Sequence, residues 1–113
     1  MNITKLNSQV SVSGQLDVSM LDELVKQGVE VIVCNRPDNE ESNQISAANL
    51  ADAALSRSLE FYNIPFGAQG PTKEQVHEFA NLLKTEKTIH AYCRTGNRSS
   101  NLFNSATQLM DQM

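Results

Sequence analysis

The sequence predicts an α/β fold in which a mostly parallel sheet of four to five strands is flanked by helices. Short runs of apolar and β-branched residues alternate along the chain with longer segments that have the periodicity of amphipathic helices. The run VEVIVC at 29–34 is mostly apolar and β-branched, which is typical of a strand covered on both faces. Strands that alternate with helices pair in parallel, because each helix returns the chain to the end of the sheet at which the previous strand began.

The elements are expected in the order β-α-β-α-β-α-β-α. Val10 and Val12 alternate with serines in the first strand, and Gly28 is well placed to end the first helix. Thr72 and Gln75 have the spacing of a capping box at the start of the third helix. The predicted strands are 9–13, 29–34, 59–64 and 88–93, and the predicted helices begin near Ser19, Ser46, Thr72 and Arg98.

Length and composition predict one globular domain, residues 1–113. Hydrophobic residues make up 40% of the chain and charged residues 19%. The net charge of -4 argues against a nucleic-acid surface. No apolar run approaches the roughly 18 residues of a membrane span, and the N-terminus does not resemble a signal peptide, so a cytoplasmic protein is expected. Met110 and Met113 are expected to pack, or to fray with the chain end, rather than to bind a ligand.

The two cysteines, Cys34 and Cys93, are too few for a disulfide framework and are expected to be free thiols. Cys34 lies in a predicted strand and is expected to be a core residue. The alternative is that it neighbours Cys93 and traps it as a reversible disulfide under oxidation. Neither histidine has partners at the spacing of metal ligands, so neither a metal nor another cofactor is expected.

The stretch CRTGNRS at 93–99 lies between the last strand and the last helix. The backbone N–H groups of such a loop can point inward, and the helix dipole adds positive potential. Gly96 permits the tight backbone, and Arg98 can offer two donors to an oxyanion. These groups would lower the pKa of Cys93 and favour a nucleophilic thiolate. The expected anion-binding residues are Arg94, Thr95, Gly96, Asn97, Ser99 and, from the neighbouring strand end, Arg36.

Each of these residues also has a plainer interpretation. A cysteine at a strand end is often only a small buried residue, although that leaves the tight spacing of Arg94, Gly96 and Arg98 unexplained. Arg36 would either fix its own loop through Asp38 or Glu40, or reach toward the anion. The two polar loops, 35–44 and 93–97, follow strand ends at the same edge of the sheet, so the topology can bring them together.

The stretch YCRTGNRSS resembles the active-site loop of rhodanese-type sulfurtransferases and the phosphate-binding loop of cysteine-dependent phosphatases. Over roughly residues 10 to 105, the chain resembles the phosphatase-like domain of beta-lactamase-hydrolase-like proteins. VIVCNRPDNEESNQ, IPF and AYCRTGNRSSNLF carry that resemblance. The resemblance implies a fold like that of dual-specificity phosphatases, with Cys93 as the nucleophile and Arg98 as the anion clamp.

Two departures from the phosphatase pattern keep the function open. Four residues separate Cys93 from Arg98, where cysteine phosphatases usually have five. In dual-specificity phosphatases an aspartate general acid follows a segment like IPF, and here Gly67 and Ala68 hold that place. An acid would have to come from the neighbouring loop, where Asp38, Glu40 and Glu41 are the candidates; each could equally be part of a solvated acidic turn.

Three functions therefore compete. In the first, a phosphatase-like hydrolase cleaves phosphate monoesters through a phosphocysteine at Cys93, with Arg98 and an acid such as Asp38 assisting. In the second, a sulfurtransferase carries sulfur as a Cys93 persulfide and passes it to a thiol acceptor such as glutathione. In the third, the loop binds an oxyanion without turnover. All three imply a phosphate- or sulfur-containing oxyanion as the partner, and neither nucleic acid nor membrane.

Overall fold

The computed structural model describes residues 2–112, so Met113 lies outside the described part, whereas Met110 packs partly buried against the core. Five strands and four helices are present within that range. The strands are β1 (Thr4–Lys5), β2 (Val10–Ser13), β3 (Val31–Cys34), β4 (Glu60–Asn63) and β5 (Ile89–Tyr92). The helices are α1 (Val18–Lys26), α2 (Ala47–Leu55), α3 (Lys73–Lys84) and α4 (Asn97–Asp111).

The strands form one sheet in the order β1-β2-β5-β3-β4. The pairs β2–β5, β5–β3 and β3–β4 are parallel, and β1 pairs with β2 antiparallel. This confirms the predicted α/β fold with a mostly parallel sheet. The sequence did not predict β1, because its two exposed residues carry no apolar alternation.

Local sequence signals predicted most helix ends to within a few residues of their observed positions. The capping box of Thr72 and Gln75 begins α3 as predicted, and Gly28, with φ of 87°, follows the end of α1. The start of α1 differs from the prediction near Ser19: Asp17 is the N-cap, and its carboxylate accepts the Met20 N–H at 3.2 Å. The composition of residues 46–58 predicts a helix over that whole range, but α2 ends at Leu55 and the chain turns at Ser58, whose φ is 63°.

Helices cover both faces of the sheet. Alternate residues of the strands, such as Val12, Val33 and Ala91, pack in one cluster with residues of α3 and α4. The opposite face, which includes Ile32 and Tyr92, packs in a second cluster with residues of α1 and α2. The three central strands are therefore fully buried. No helix within residues 2–112 is long and apolar enough to cross a membrane.

The register brings the carboxyl ends of the parallel strands to one edge. Ser13 pairs with Tyr92, Tyr92 with Cys34, and Cys34 with Asn63. The loops that follow these four residues therefore leave the sheet side by side. This is the edge at which open α/β sheets bind ligands, and both polar loops of the sequence lie there.

Candidate active site

The loop 93–96 folds around the sulfur of Cys93. Cys93 is fully buried, and its Sγ accepts a hydrogen bond from the Gly96 N–H at 3.0 Å. Gly96 precedes the first turn of α4 with φ of 97°, a left-handed conformation that a side chain would disfavour. The loop thus turns the Gly96 amide toward the sulfur, and the binding of an anion by these residues stays a prediction.

The surroundings of Cys93 lower the pKa of its thiol below the usual value. Burial opposes this by raising the pKa, since it disfavours the charged thiolate. The backbone N–H groups of Ser99, Thr95 and Gly96, together with the Ser99 hydroxyl, lower it and outweigh burial. A thiolate at this position is therefore stabilised before any ligand binds.

Ser99 places a buried hydroxyl in the first turn of α4. Among residues 2–112 its Oγ has no partner that meets hydrogen-bond geometry, although its proximity to Cys93 lowers the pKa of the thiol. A buried hydroxyl without a partner is uncommon in folded proteins and costs stability. Ser99 is thus a donor available to a charged sulfur or to an anion above it.

Arg98 is held by Glu40 through one edge of its guanidinium group. Nη1 donates to Glu40 Oε2 at 2.8 Å and to the Phe66 carbonyl at 3.0 Å, and Nη2 donates to Glu40 Oε1 at 2.8 Å. These bonds use three of the five N–H donors of an arginine. The remaining donors, Nε–H and one Nη2–H, lie along the other edge of the group and suit a bidentate contact with an oxyanion.

The carboxylate of Glu40 also binds a second arginine. Arg36 is buried, and its Nε donates to Glu40 Oε1 at 2.9 Å. Hydrogen bonds and charge from Arg98 and Arg36 lower the pKa of Glu40 to about 2, although burial acts in the opposite direction. Glu40 is consequently ionised at neutral pH and serves as an ion-pair partner rather than as a proton donor.

All three nitrogens of the Arg36 guanidinium group donate hydrogen bonds to nearby side chains. Besides Glu40, Nη1 donates to Gln15 Oε1 at 2.8 Å and Nη2 to Glu41 Oε1 at 2.6 Å. These contacts match the interpretation in which Arg36 fixes its loop, and they use Glu40 and Glu41 rather than Asp38. Direct binding of the anion by Arg36 stays a prediction.

Asp38 has its carboxylate at the start of α2. Its Oδ1 accepts the Ala47 N–H at 2.8 Å, beside the N-cap Ser46. No hydrogen bond within residues 2–112 joins Asp38 to Cys93 or to Arg98. Its predicted role in catalysis is untested, and its helix contact indicates a structural task that the sequence did not reveal.

The outer face of the loop is open to solvent. Arg94, Thr95 and Asn97 are exposed. Arg94 Nε lies 3.4 Å from Glu41 Oε1, which is a weak ion pair. Arg94, Arg98, Glu40 and Ala68 line a cavity of about 510 Å³. The two arginines thus meet at one opening. Thr95, Gly96 and Asn97 border a neighbouring groove, which Arg94 also lines.

Two residues of the site were not predicted from the sequence. The Ser13 carbonyl accepts the Cys93 N–H at 3.3 Å, which extends the β2–β5 pairing into the loop. A Cβ on Gly14 would lie 2.8 Å from the Arg94 carbonyl oxygen, so the loop closes directly against this glycine. The only signal in the sequence was a glycine immediately after a predicted strand.

Cys34 is a buried free thiol in β3 with a different environment. Its Sγ donates to the Arg36 carbonyl at 3.3 Å, and burial raises the pKa of its thiol. The sulfur of Cys93 instead faces Gly96, and the two cysteines are not bonded to each other. Within residues 2–112, no group of three or more His, Cys, Asp and Glu side chains could hold a metal ion.

Known proteins are similar to this chain in sequence and in fold. Residues 2–110 match the family model described as the phosphatase-like domain of beta-lactamase hydrolase-like proteins. The chain is 27% identical over 106 residues to the beta-lactamase hydrolase-like protein of Xylella fastidiosa (strain Temecula1), which covers 91% of this chain and 24% of that protein. The chain thus spans about a quarter of the length of the curated relatives that it matches.

Solved structures extend this comparison. A candidate phosphatase from Neisseria meningitidis Z2491 has a TM-score of 0.82 and 33% identity, over 91% of this chain and 74% of that chain. The kinase-associated phosphatase, solved with its catalytic-site cysteine replaced by serine, has a TM-score of 0.62 and 17% identity, over 77% of this chain and 57% of that chain. The first likeness extends to sequence, and the second concerns the fold alone. The resemblance predicted from the sequence is confirmed: this chain belongs to the family of phosphatase-like domains of beta-lactamase hydrolase-like proteins.

Proposed function

We propose that this chain is a cysteine-dependent phosphatase that cleaves phosphate monoesters through a phosphocysteine at Cys93. The observation that carries the proposal is the buried sulfur of Cys93, with its lowered pKa, beneath loop amides and beside Arg98. Membership in a phosphatase-like family supports the same reaction class. That residues 1–113 act as a single cytoplasmic domain, apart from nucleic acid and membrane, is part of the proposal.

The reaction would proceed in two displacements. The Cys93 thiolate attacks phosphorus, the bond from phosphorus to the ester oxygen breaks, and the alcohol oxygen leaves with the electron pair. Water then attacks the phosphocysteine, which releases phosphate and restores the thiolate. The amides of the loop and the unused edge of Arg98 would stabilise the charge on the equatorial oxygens in both steps.

Leaving groups should determine the rate, because neither Glu40 nor Asp38 is arranged as a general acid. Glu40 is ionised, with a pKa of about 2, and Asp38 is bonded to the start of α2. General acid catalysis typically contributes about 10²–10⁴-fold. Aryl phosphates, whose leaving groups need no proton, should therefore react far faster than alkyl phosphates.

A second candidate is sulfur transfer, which the same observation favours. Cys93 would attack the outer sulfur of thiosulfate, the S–S bond would break, and sulfite would leave with the electron pair. A thiolate such as that of glutathione would then take the outer sulfur from the Cys93 persulfide and restore the Cys93 thiolate. Neither step protonates an alcohol, and four residues between Cys93 and Arg98 are closer to the rhodanese pattern.

Turnover of three substrates by matched variants tests the proposal. Wild type, Cys93→Ser and Cys34→Ser would each be incubated with an aryl phosphate, an alkyl phosphate, and thiosulfate with glutathione. The phosphatase proposal expects release of phosphate from the aryl ester by wild type and Cys34→Ser, and none by Cys93→Ser. Glutathione persulfide formed in a Cys93-dependent manner, without phosphate release, would favour sulfur transfer instead. Turnover that survives Cys93→Ser would contradict both.

A further inference from the structure

His90 is buried at the centre of the sheet and takes no part in the proposed reaction. Its ring lies between two hydroxyl groups of the neighbouring strand β2: Ser11 Oγ is 2.7 Å from Nδ1, and Ser13 Oγ is 2.8 Å from Nε2. All three residues are buried. Burial alone lowers the pKa of His90 to about 4, so the ring is neutral at physiological pH.

The hydrogen bonds around the ring assign its tautomer. The Ser13 hydroxyl has a single proton, and it donates this proton to the Gly14 carbonyl at 2.9 Å. We assign the ring proton to Nε2, because Ser13 Oγ then accepts from His90 and keeps its own proton for the Gly14 carbonyl. Nδ1 is then an acceptor and takes the proton of Ser11. The result is a chain of donors that runs in one direction, from Ser11 through His90 and Ser13 to the Gly14 carbonyl.

The last two residues of this hydrogen-bond series, Ser13 and Gly14, pack directly behind the Cys93 loop. The Ser13 carbonyl accepts the Cys93 N–H at 3.3 Å. The Arg94 carbonyl lies against Gly14, and a Cβ on Gly96 would be 3.5 Å from the Ser13 backbone. Ser13 and Gly14 thus contact both ends of the loop whose amides face the sulfur. A rotation of the Ser13–Gly14 peptide would move the loop with it.

We propose that His90 is a positioning residue for the Cys93 loop, because its Nε2–H orients Ser13 and so fixes the backbone of Ser13 and Gly14 against residues 93–96. The inference rests on the proposed function only in taking Cys93 as the nucleophile. Ser11 donates to Nδ1 on the far side of the ring and makes no hydrogen bond with the loop within residues 2–112. The loop amides should therefore depend on Ser13 and on the donor of residue 90, and not on Ser11.

The rate at which iodoacetate alkylates Cys93, followed by peptide mass spectrometry across about pH 5 to 9, tests this proposal. Its readout is the pH dependence of the rate, which reports the pKa of the thiol. A packing defect that only changes access to the buried sulfur would alter the rate at all pH values alike. Ser13→Ala should slow alkylation below the thiol pKa by about three- to tenfold, as a rise of half to one pKa unit demands. Ser11→Ala, which removes the matched hydrogen bond at the other nitrogen, should stay within about twofold of wild type.

Two variants of residue 90 complete the experiment in case Ser13→Ala fails to fold. His90→Gln keeps an acceptor and a donor on one side chain and should retain most of the wild-type rate, whereas His90→Leu keeps neither and should lose it. Equal slowing by Ser11→Ala and Ser13→Ala, or equal rates in His90→Gln and His90→Leu, would overturn the inference. Fast alkylation of wild-type Cys93 without turnover of any phosphate or sulfur donor would contradict the proposed function and leave this inference standing.

Discussion

Single residues set the charge balance of the site. Arg36, Arg94 and Arg98 contribute three positive charges against the two carboxylates of Glu40 and Glu41. The surplus of one positive charge favours the thiolate of Cys93 and then an incoming oxyanion. Because Glu40 occupies only one edge of Arg98, it can orient the guanidinium group without blocking it.

Replacing Ser99 should separate stability from reactivity. Ser99→Ala removes a buried hydroxyl that has no hydrogen-bond partner within residues 2–112. We therefore expect the free energy of unfolding to stay the same or to rise by up to about 1 kcal/mol. The pKa of Cys93 should rise, because the hydroxyl that lowers it is lost. Urea unfolding and the pH profile of alkylation measure the two effects. A large loss of stability with an unchanged thiol would show that Ser99 is structural.

Replacing Glu40 should weaken both the fold and the site. Glu40→Gln leaves the buried Arg36 and the partly buried Arg98 with a neutral partner. We expect a loss of about 3 kcal/mol in the free energy of unfolding and a higher KM for aryl phosphates. Glu41→Gln is the matched control: the Glu41 side chain is 52% exposed, against 27% for Glu40, so it should cost less than about 1 kcal/mol. Equal effects of the two variants would refute this assignment.

Helices and strands that carry local sequence signals were predicted, whereas those that depend on tertiary contacts were not. A capping box and apolar β-branched runs are local signals, and they placed α3 and the four parallel strands close to their observed bounds. The two residues of β1 carry no such signal and became a strand only by pairing with β2. The β2–α1 turn is likewise set by tertiary contact, because Gly14 lies against the loop after β5.

Substituting Gly14 should damage the site through that contact. Gly14→Ala would put a Cβ 2.8 Å from the Arg94 carbonyl, so the turn or the Cys93 loop must move. We expect kcat/KM to fall by about tenfold or more, since small misplacements of reacting groups are costly. Gly28→Ala is the control: its φ of 87° makes the substitution strained, but nothing lies within 4 Å of the new Cβ. It should reduce the melting temperature and leave kcat/KM unchanged; a parallel loss in both variants would contradict the contact argument.

At the level of the whole molecule, the site is assembled from segments that are distant in the chain. Parallel topology alone predicted that the loops after β3 and β5 would meet, and they do. The partner of Arg98 was not predictable, because Glu40 lies 58 residues away in a loop without periodicity, and any of three acidic residues could have reached it. The roles of Ser11, His90 and Ser13 depend on the β2–β5 register, which the sequence does not specify.

The stability of the fold should depend on pH through His90. Its pKa is about 4 in the folded chain, against an ordinary value of 6.5, so the unfolded chain binds a proton that the folded chain rejects. The free energy of unfolding should therefore fall as the pH drops from 6.5 to 4, by roughly 3 kcal/mol at most. Urea unfolding of wild type and His90→Gln at several pH values checks this: the variant should lack this fall. Glu40, with its pKa of about 2, contributes a separate loss below pH 4.5.

The central claim is that Cys93 becomes covalently modified by its substrate. Rapid-quench intact-protein mass spectrometry of wild type and Cys93→Ser, mixed separately with an aryl phosphate and with thiosulfate, tests it most directly. A phosphocysteine intermediate requires a transient gain of one phosphoryl group from the aryl phosphate, mapped to Cys93 and absent in Cys93→Ser. A gain of one sulfur at Cys93 from thiosulfate, with no phosphoryl adduct, would replace the phosphatase by the sulfurtransferase. Turnover with no adduct on Cys93, or an adduct that persists in Cys93→Ser, would rule out Cys93 as the nucleophile.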